Sequence, residues 1–92
     1  MRYVWDPAKD ALNQRKHGLS LADGIPALED PEHLSWIDDR FDYGEDRIAT
    51  LGMGRTNVLY VATTEPDEET TRIISVRRAE LYEIKKYGLG RS

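Results

Sequence analysis

Three runs in the second half of the chain set the hydrophobic pattern. They are Arg47-Ile-Ala-Thr-Leu-Gly-Met53, Val58-Leu-Tyr-Val-Ala-Thr-Thr64 and Arg72-Ile-Ile-Ser-Val-Arg77. Each is short, apolar and supplied with β-forming residues. Gly54-Arg-Thr-Asn57 separates the first two, and an acidic stretch over residues 66–71 reads as the hairpin loop before the third. Consecutive strands joined this way predict an antiparallel meander. Earlier in the chain, Tyr3-Val4-Trp5 reads as an edge or starting strand. Asp6 suits a helix N-cap and Pro7 the first helical position, where a missing N–H costs nothing. A helix over residues 8–16 follows, ended by Gly18 in the left-handed conformation. Its apolar face is only Ala8, Ala11 and Leu12, so most of it faces water. Ser20-Leu-Ala-Asp23 has capping-box spacing, with Asp in place of Glu. It opens a second helix over residues 21–28, weakened by Gly24 and kinked or delayed by Pro26. Leu34-Ser-Trp-Ile-Asp38 is a short strand, residues 39–46 an acidic loop, and residues 78–87 a last helix stopped by Gly88. The expected fold is α+β: a twisted antiparallel β-sheet, covered on one side, with two N-terminal helices and one C-terminal helix.

Length bounds this picture. The 92 residues make a single domain, 1–92, with one modest core. Cysteine is absent, which removes disulfides and thiolate metal sites and fits a reducing, cytoplasmic compartment. No apolar run approaches a membrane span, and Met-Arg-Tyr-Val-Trp-Asp at the start has no signal-peptide core. A net charge of −4 argues against nucleic acid, but its distribution changes that reading. Residues 29–46 hold eight acids and one base, and residues 65–69 add four acids. Residues 70–92 hold six bases and two acids, a local balance of +4. The molecule is expected to have a basic working end and an acidic back.

The basic end suggests chemistry. Arg72, Arg77 and Arg78 can gather where the last strand meets the last helix, and Lys16 and His17 close the first helix. A helix over 78–87 would put Arg78 beside Tyr82 and Glu83 beside Tyr87. His17 and His33 lie in no metal-ligand repeat, and Gly52-Met-Gly54 lacks the strand-to-helix context of a phosphate loop. Cleaving RNA without a metal requires a base for the 2′-hydroxyl, neutralisation of the phosphorane and an acid for the 5′-oxygen. Arginine forks suit the phosphate. His, Tyr, Glu or Lys can move the protons, and Trp or Tyr can stack on unpaired bases. Each residue also has a plain structural reading. Arg and Lys at helix ends are solvated, His17 caps carbonyls, Tyr82, Tyr87, Trp5 and Trp36 belong to the core or its rim, and Glu83 pairs with a nearby base.

The ordered set of motifs resembles the BrnT toxin family. It comprises Tyr3-Val-Trp-Asp6, Lys9, Asn13, Lys16-His17-Gly18, Ser20 and Glu29-Asp30-Pro31. Tyr43-Gly-Glu45, Arg47, Gly52, Arg72-Ile-Ile-Ser75, Arg77, Arg78-Ala79, Glu83 and Tyr87 continue it to the end. The resemblance implies a RelE-like fold and the toxin of a type II toxin–antitoxin system, a ribonuclease that cleaves RNA, blocks translation and needs no metal or other cofactor. It implies a BrnA-like protein antitoxin as partner, with operator DNA bound only through that antitoxin. By position it makes Arg77, Arg78, His17, Glu83 and Tyr87 the catalytic candidates, with Lys16, Arg72, Tyr82 and Lys86 as RNA-binding candidates. Two positions depart from the pattern. Glu83 is followed by Ile84 where a base is common, and Thr64 leads into Glu65 and further acids. Both remove positive charge expected near the site. Two alternatives therefore stand beside the ribonuclease: a ParE-like toxin acting on a protein, and a catalytically weakened domain that binds antitoxin.

Overall fold

The computed structural model describes residues 1–38 and 46–90. The expected acidic loop over 39–46, including Tyr43-Gly-Glu45, lies outside them apart from Asp46. In chain order the elements are β1 (Arg2–Val4), α1 (Pro7–His17), a 3₁₀ turn (Leu21–Gly24), α2 (Ile25–Leu28), β2 (Leu34–Asp38), β3 (Arg47–Met53), β4 (Val58–Asp67), β5 (Thr70–Arg78) and α3 (Leu81–Gly90).

The local signals in the first half act as their chemistry dictates. The Asp6 side chain accepts from the Ala8 N–H, Pro7 opens α1, and Gly18 closes it at φ 71°. Ser20 and Asp23 form a reciprocal capping box. The helix over 21–28, expected to be kinked or to begin later, is a 3₁₀ turn followed by one α turn, so its α-helical part begins later, at Ile25. Pro26 lies in the first turn of α2, where the absent N–H has no intrahelical partner to lose.

The five strands lie in the order β1-β5-β4-β3-β2. Pairs β3–β4 and β4–β5 are antiparallel, as the meander predicts, and β2 adds to β3 as a further antiparallel strand. β1 runs parallel to β5, with Tyr3 opposite Thr71, so the sheet is mixed rather than wholly antiparallel. Turn signals report only neighbouring strands, and this pair closes across nearly the whole chain. β4 and β5 also run further than expected. β4 continues to Asp67 and β5 starts at Thr70, so the acidic loop shrinks to a tight turn. Pro66 is accommodated at a register irregularity between Thr64 and Asp67.

Alternation along β4 decides where the helices go. Leu59 and Val61 join Ile73 and Val76 on one face, under Leu21 and Ala27 from the first helical layer. Val58 and Tyr60 join Ala49 and Leu51 on the other face, under Tyr87 of α3. Helices therefore cover both faces, which corrects the one-sided expectation. A 3.6-residue pattern identifies a helix but not the face it will find. α3 also begins later than expected. Arg78 is still paired with Leu59, and the Ala79 N–H donates to the Val58 carbonyl. Glu83 then reaches back to accept from the Glu80 N–H, half of a capping box that starts the helix at Leu81. Gly88 lies inside α3 rather than ending it.

Two residues tie the layers together. β1 covers β5 only as far as Arg72, which leaves the rest of that edge open. The buried Asn13 side chain fills the gap, donating to the carbonyls of Val76 and Leu19 and accepting from the Val76 N–H. Gly52 lets the end of α2 lie against β3, since a Cβ there would sit 2.1 Å from the Ala27 carbonyl oxygen.

Candidate functional site

The end of β5 separates the two arginines that the sequence groups together. Successive strand side chains point to opposite faces. Arg77 is opposite Tyr60 and turns toward α3, while Arg78 is opposite Leu59 and turns toward α1. A paired guanidinium holder made of both is therefore not formed. Nor does Arg78 share a helical face with Tyr82, because Arg78 ends a strand.

Arg77 is held on three sides. Its Nη1 donates to Glu83 Oε1 at 2.7 Å and to the Arg78 carbonyl at 3.2 Å. Its Nη2 donates to Glu83 Oε2 at 2.9 Å. The guanidinium lies 4.1 Å from the centre of the Tyr60 ring. The Arg77 side chain is 28% exposed and that of Glu83 5%. The Glu83 carboxylate raises the Arg77 pKa, so the cation is permanent. Of its five donors, Glu83 and the Arg78 carbonyl take three. The remaining two, Nε–H and the second Nη2–H, lie side by side and match two oxygens of one phosphate.

These groups wall a cleft of about 200 Å³ with Trp36, Asp38, Tyr82 and Lys86. Trp36 meets Tyr60 edge to face, and Lys86 Nζ sits 4.1 Å from the Trp36 ring centre. Tyr82 is 65% exposed, so an aromatic face stands free at the rim. The cleft thus combines two cations, Arg77 held by Glu83 and Lys86 set over Trp36, with the exposed ring of Tyr82.

The other sequence candidates, His17, Lys16, Arg72, Arg78 and Tyr87, lie outside the lining of this cleft. His17 ends α1, and its carbonyl lies 3.5 Å from Arg78 Nη1. Burial, then the charges of Lys16 and Arg77, hold its imidazole pKa below the usual histidine value. Lys16 is exposed in the same turn. Tyr87 is buried among Ala49, Leu51 and Val58, and its hydroxyl donates to Asp30. Asp30 also accepts from the backbone N–H groups of Glu32 and Met53, so Tyr87 anchors α3 to a turn. Arg72 is opposite Thr64 and Val4, at the other end of β5 from Arg77. Glu65 is there too, lining a separate pocket with Tyr3, His33 and Thr71. That departure is not next to the Arg77 cleft, which corrects the expectation of lost charge there. Ile84 is exposed on α3, beside Glu83 in sequence but not in the cleft wall.

Sequence reasoning missed Tyr60, Asp38 and Arg55. The Tyr60–Arg77 register carries the first, but it becomes visible only once β4 and β5 are aligned.

A small α+β domain with a fixed arginine, a second cation and an exposed tyrosine in one cleft has the groups suited to a phosphodiester. The chain belongs to the family described as ribonuclease toxin, BrnT, of type II toxin–antitoxin system, whose model matches residues 5–83. Its fold is similar to the crystal structure of the Brucella abortus ribonuclease toxin BrnT, with a TM-score of 0.64 and 26% sequence identity. That likeness covers 87% of this chain and 97% of the Brucella chain. No curated protein sequence matches it.

Proposed function

We propose that this chain is a metal-independent endoribonuclease, the RNA-cleaving toxin of its system. Arg77 carries the reading: a buried carboxylate and an aromatic face fix its guanidinium, and two of its donors remain open toward the cleft. The scissile phosphate takes those two donors. The 2′-hydroxyl loses its proton to the His17 imidazole and its oxygen attacks phosphorus. Arg77 neutralises the phosphorane, and the P–O5′ bond breaks as the 5′-oxygen takes a proton from a solvent water, the proton held by His17 returning to solvent. The products are a 2′,3′-cyclic phosphate and a 5′-hydroxyl. Glu83 acts as a positioning residue, since both its oxygens are engaged by Arg77. Trp36, Tyr82 and Lys86 hold the flanking nucleotides by stacking and charge. Tyr87 holds α3 in place and moves no proton.

Around this site the same reading includes a RelE-like fold, a cytoplasmic setting, arrest of translation, and a BrnA-like antitoxin through which alone the complex meets operator DNA. It is supported by membership of the BrnT family. Among the described residues no helix is long and apolar enough to cross a membrane. Purified protein incubated with mRNA in EDTA tests the reaction. Cleavage is expected to persist in chelator and to fall by about 10²–10³ in Arg77→Ala, the scale for losing one preorganised donor to a transition-state oxyanion. RNA left intact by the wild type, together with inhibited DNA supercoiling, would establish a ParE-like action instead.

A further inference from the structure

We infer that a pocket on the opposite face of the sheet, walled by Arg55 and Arg78, is a second RNA subsite that takes a phosphate and nucleoside flanking the scissile bond. The inference rests on the RNA-cleavage reading and extends it to the path of the substrate. The pocket is about 420 Å³, within the usual range for small-molecule sites. Leu19, Leu59 and Pro26 give it an apolar floor, and Asn57 adds amide groups at its mouth. Asp23 also lines it, one carboxylate oxygen accepting from the Ser20 N–H, so the pocket sets two guanidinium groups against one carboxylate. Among the described residues Arg55 has no ion pair, and Arg78 has only its weak contact to the His17 carbonyl. Two guanidinium groups with no ion pair among the described residues, above an apolar floor, form a site for an anion carrying a flat apolar body. A nucleotide has that shape and charge.

The connection to the catalytic cleft is short. Arg77 and Arg78 are consecutive and emerge on opposite faces of β5. β1 does not reach this end of β5, where Asn13 of α1 takes the edge at Val76, and His17 at the end of α1 lies next to Arg78. The His17 carbonyl faces Arg78, while its imidazole feels the charge of Arg77. A single strand leaving the Arg77 cleft past His17 therefore meets Arg78 next and Arg55 after it. This order favours RNA over an acidic peptide, which would have no reason to continue from the cleft.

The test measures binding of a labelled, mixed-sequence 2′-O-methyl oligoribonucleotide, which lacks the attacking hydroxyl, by anisotropy across a salt series. Wild type is compared with Arg55→Ala, Arg55→Lys and Arg77→Ala. Arg55→Ala is expected to weaken binding several-fold and to reduce the log–log salt slope by about 0.7, the single-strand value for one lost phosphate contact. Arg55→Lys is expected to keep the slope. Arg55 lies on an exposed turn, so equal thermal unfolding of the variants separates lost contact from lost fold. The inference is overturned if Arg55→Ala leaves affinity and slope unchanged while Arg77→Ala weakens binding. It is equally overturned if Arg55→Ala impairs only binding of the protein antitoxin. A wild type that neither binds the oligomer nor cleaves mRNA would remove the cleavage reading itself, a result distinct from these.

Discussion

At the scale of single residues, the site is one cation and the groups that fix it. Glu83 supplies charge and geometry together, so Glu83→Gln separates them. The amide keeps the shape but loses charge-assisted hydrogen bonds worth about 1.5–3 kcal/mol. The expected outcome is a kcat lowered about 10- to 100-fold with a smaller change in KM. Equal loss of activity at every pH and an unchanged KM would fit a positioning role; a displaced pH profile would make Glu83 a proton carrier. His17 gives the complementary prediction. Its folded pKa lies below the ordinary value of about 6.5. The imidazole is therefore neutral at pH 7 and competent as a base. Activity should fall as pH drops through that lowered pKa. Lys16→Met removes one cause of the depression, so the acid limb of the kcat profile should move to higher pH. A limb that stays put in Lys16→Met and persists in His17→Gln would exclude His17 as the base. The sequence contained all these side chains and put Lys16 and His17 at the end of a helix. It did not contain the Glu83–Arg77 fork, because that contact depends on where α3 starts.

At the scale of elements, the open end of β5 is the critical feature. Asn13 replaces a missing strand there, making three hydrogen bonds with the backbone of Val76 and Leu19. Asn13→Ala leaves the Val76 N–H and C=O buried and unpaired. A buried polar group left unsatisfied costs about 1–3 kcal/mol. Denaturant unfolding should show a loss of about 2–5 kcal/mol for the two groups and the lost packing. A loss below about 1 kcal/mol would mean that water replaces the amide. Helix caps were legible because they are local: Asp6, Gly18, and Ser20 with Asp23 act within four residues. The start of α3 was not, because residues 78 and 79 belong to a ladder with β4 whose partner is twenty residues away in sequence. Local helix signals cannot report that competition.

At the scale of the whole molecule, charge is segregated by the β4–β5 hairpin. Arg77 and Arg78 lie at its open end, and Asp67, Glu68 and Glu69 at its turn. The acids of the hairpin turn are therefore at the far end of the two strands from the cleft. Glu65 is five residues beyond Tyr60 on β4, roughly 16 Å along an extended strand. That exceeds the Debye length of about 8 Å at physiological salt. Glu65→Lys should accordingly leave cleavage of mRNA within about twofold of wild type at that ionic strength. A rise of tenfold or more would mean that RNA reaches the turn end as well. Basic residues after residue 70 were visible as a charge run, but a run does not say which face of a sheet each member meets.

The sequence by itself determined the class of fold, the caps of the first helix and the 3₁₀ turn, two antiparallel strand pairings and the family. All of these depend on neighbouring residues or on ordered motifs. Only the tertiary structure decided that β1 joins β5 in parallel, that helices cover both faces, and that Arg77 and Arg78 part company. The reason is the same for each. A strand's two-residue period fixes that neighbours point apart, but which face meets α3 is set by packing between residues distant in the chain.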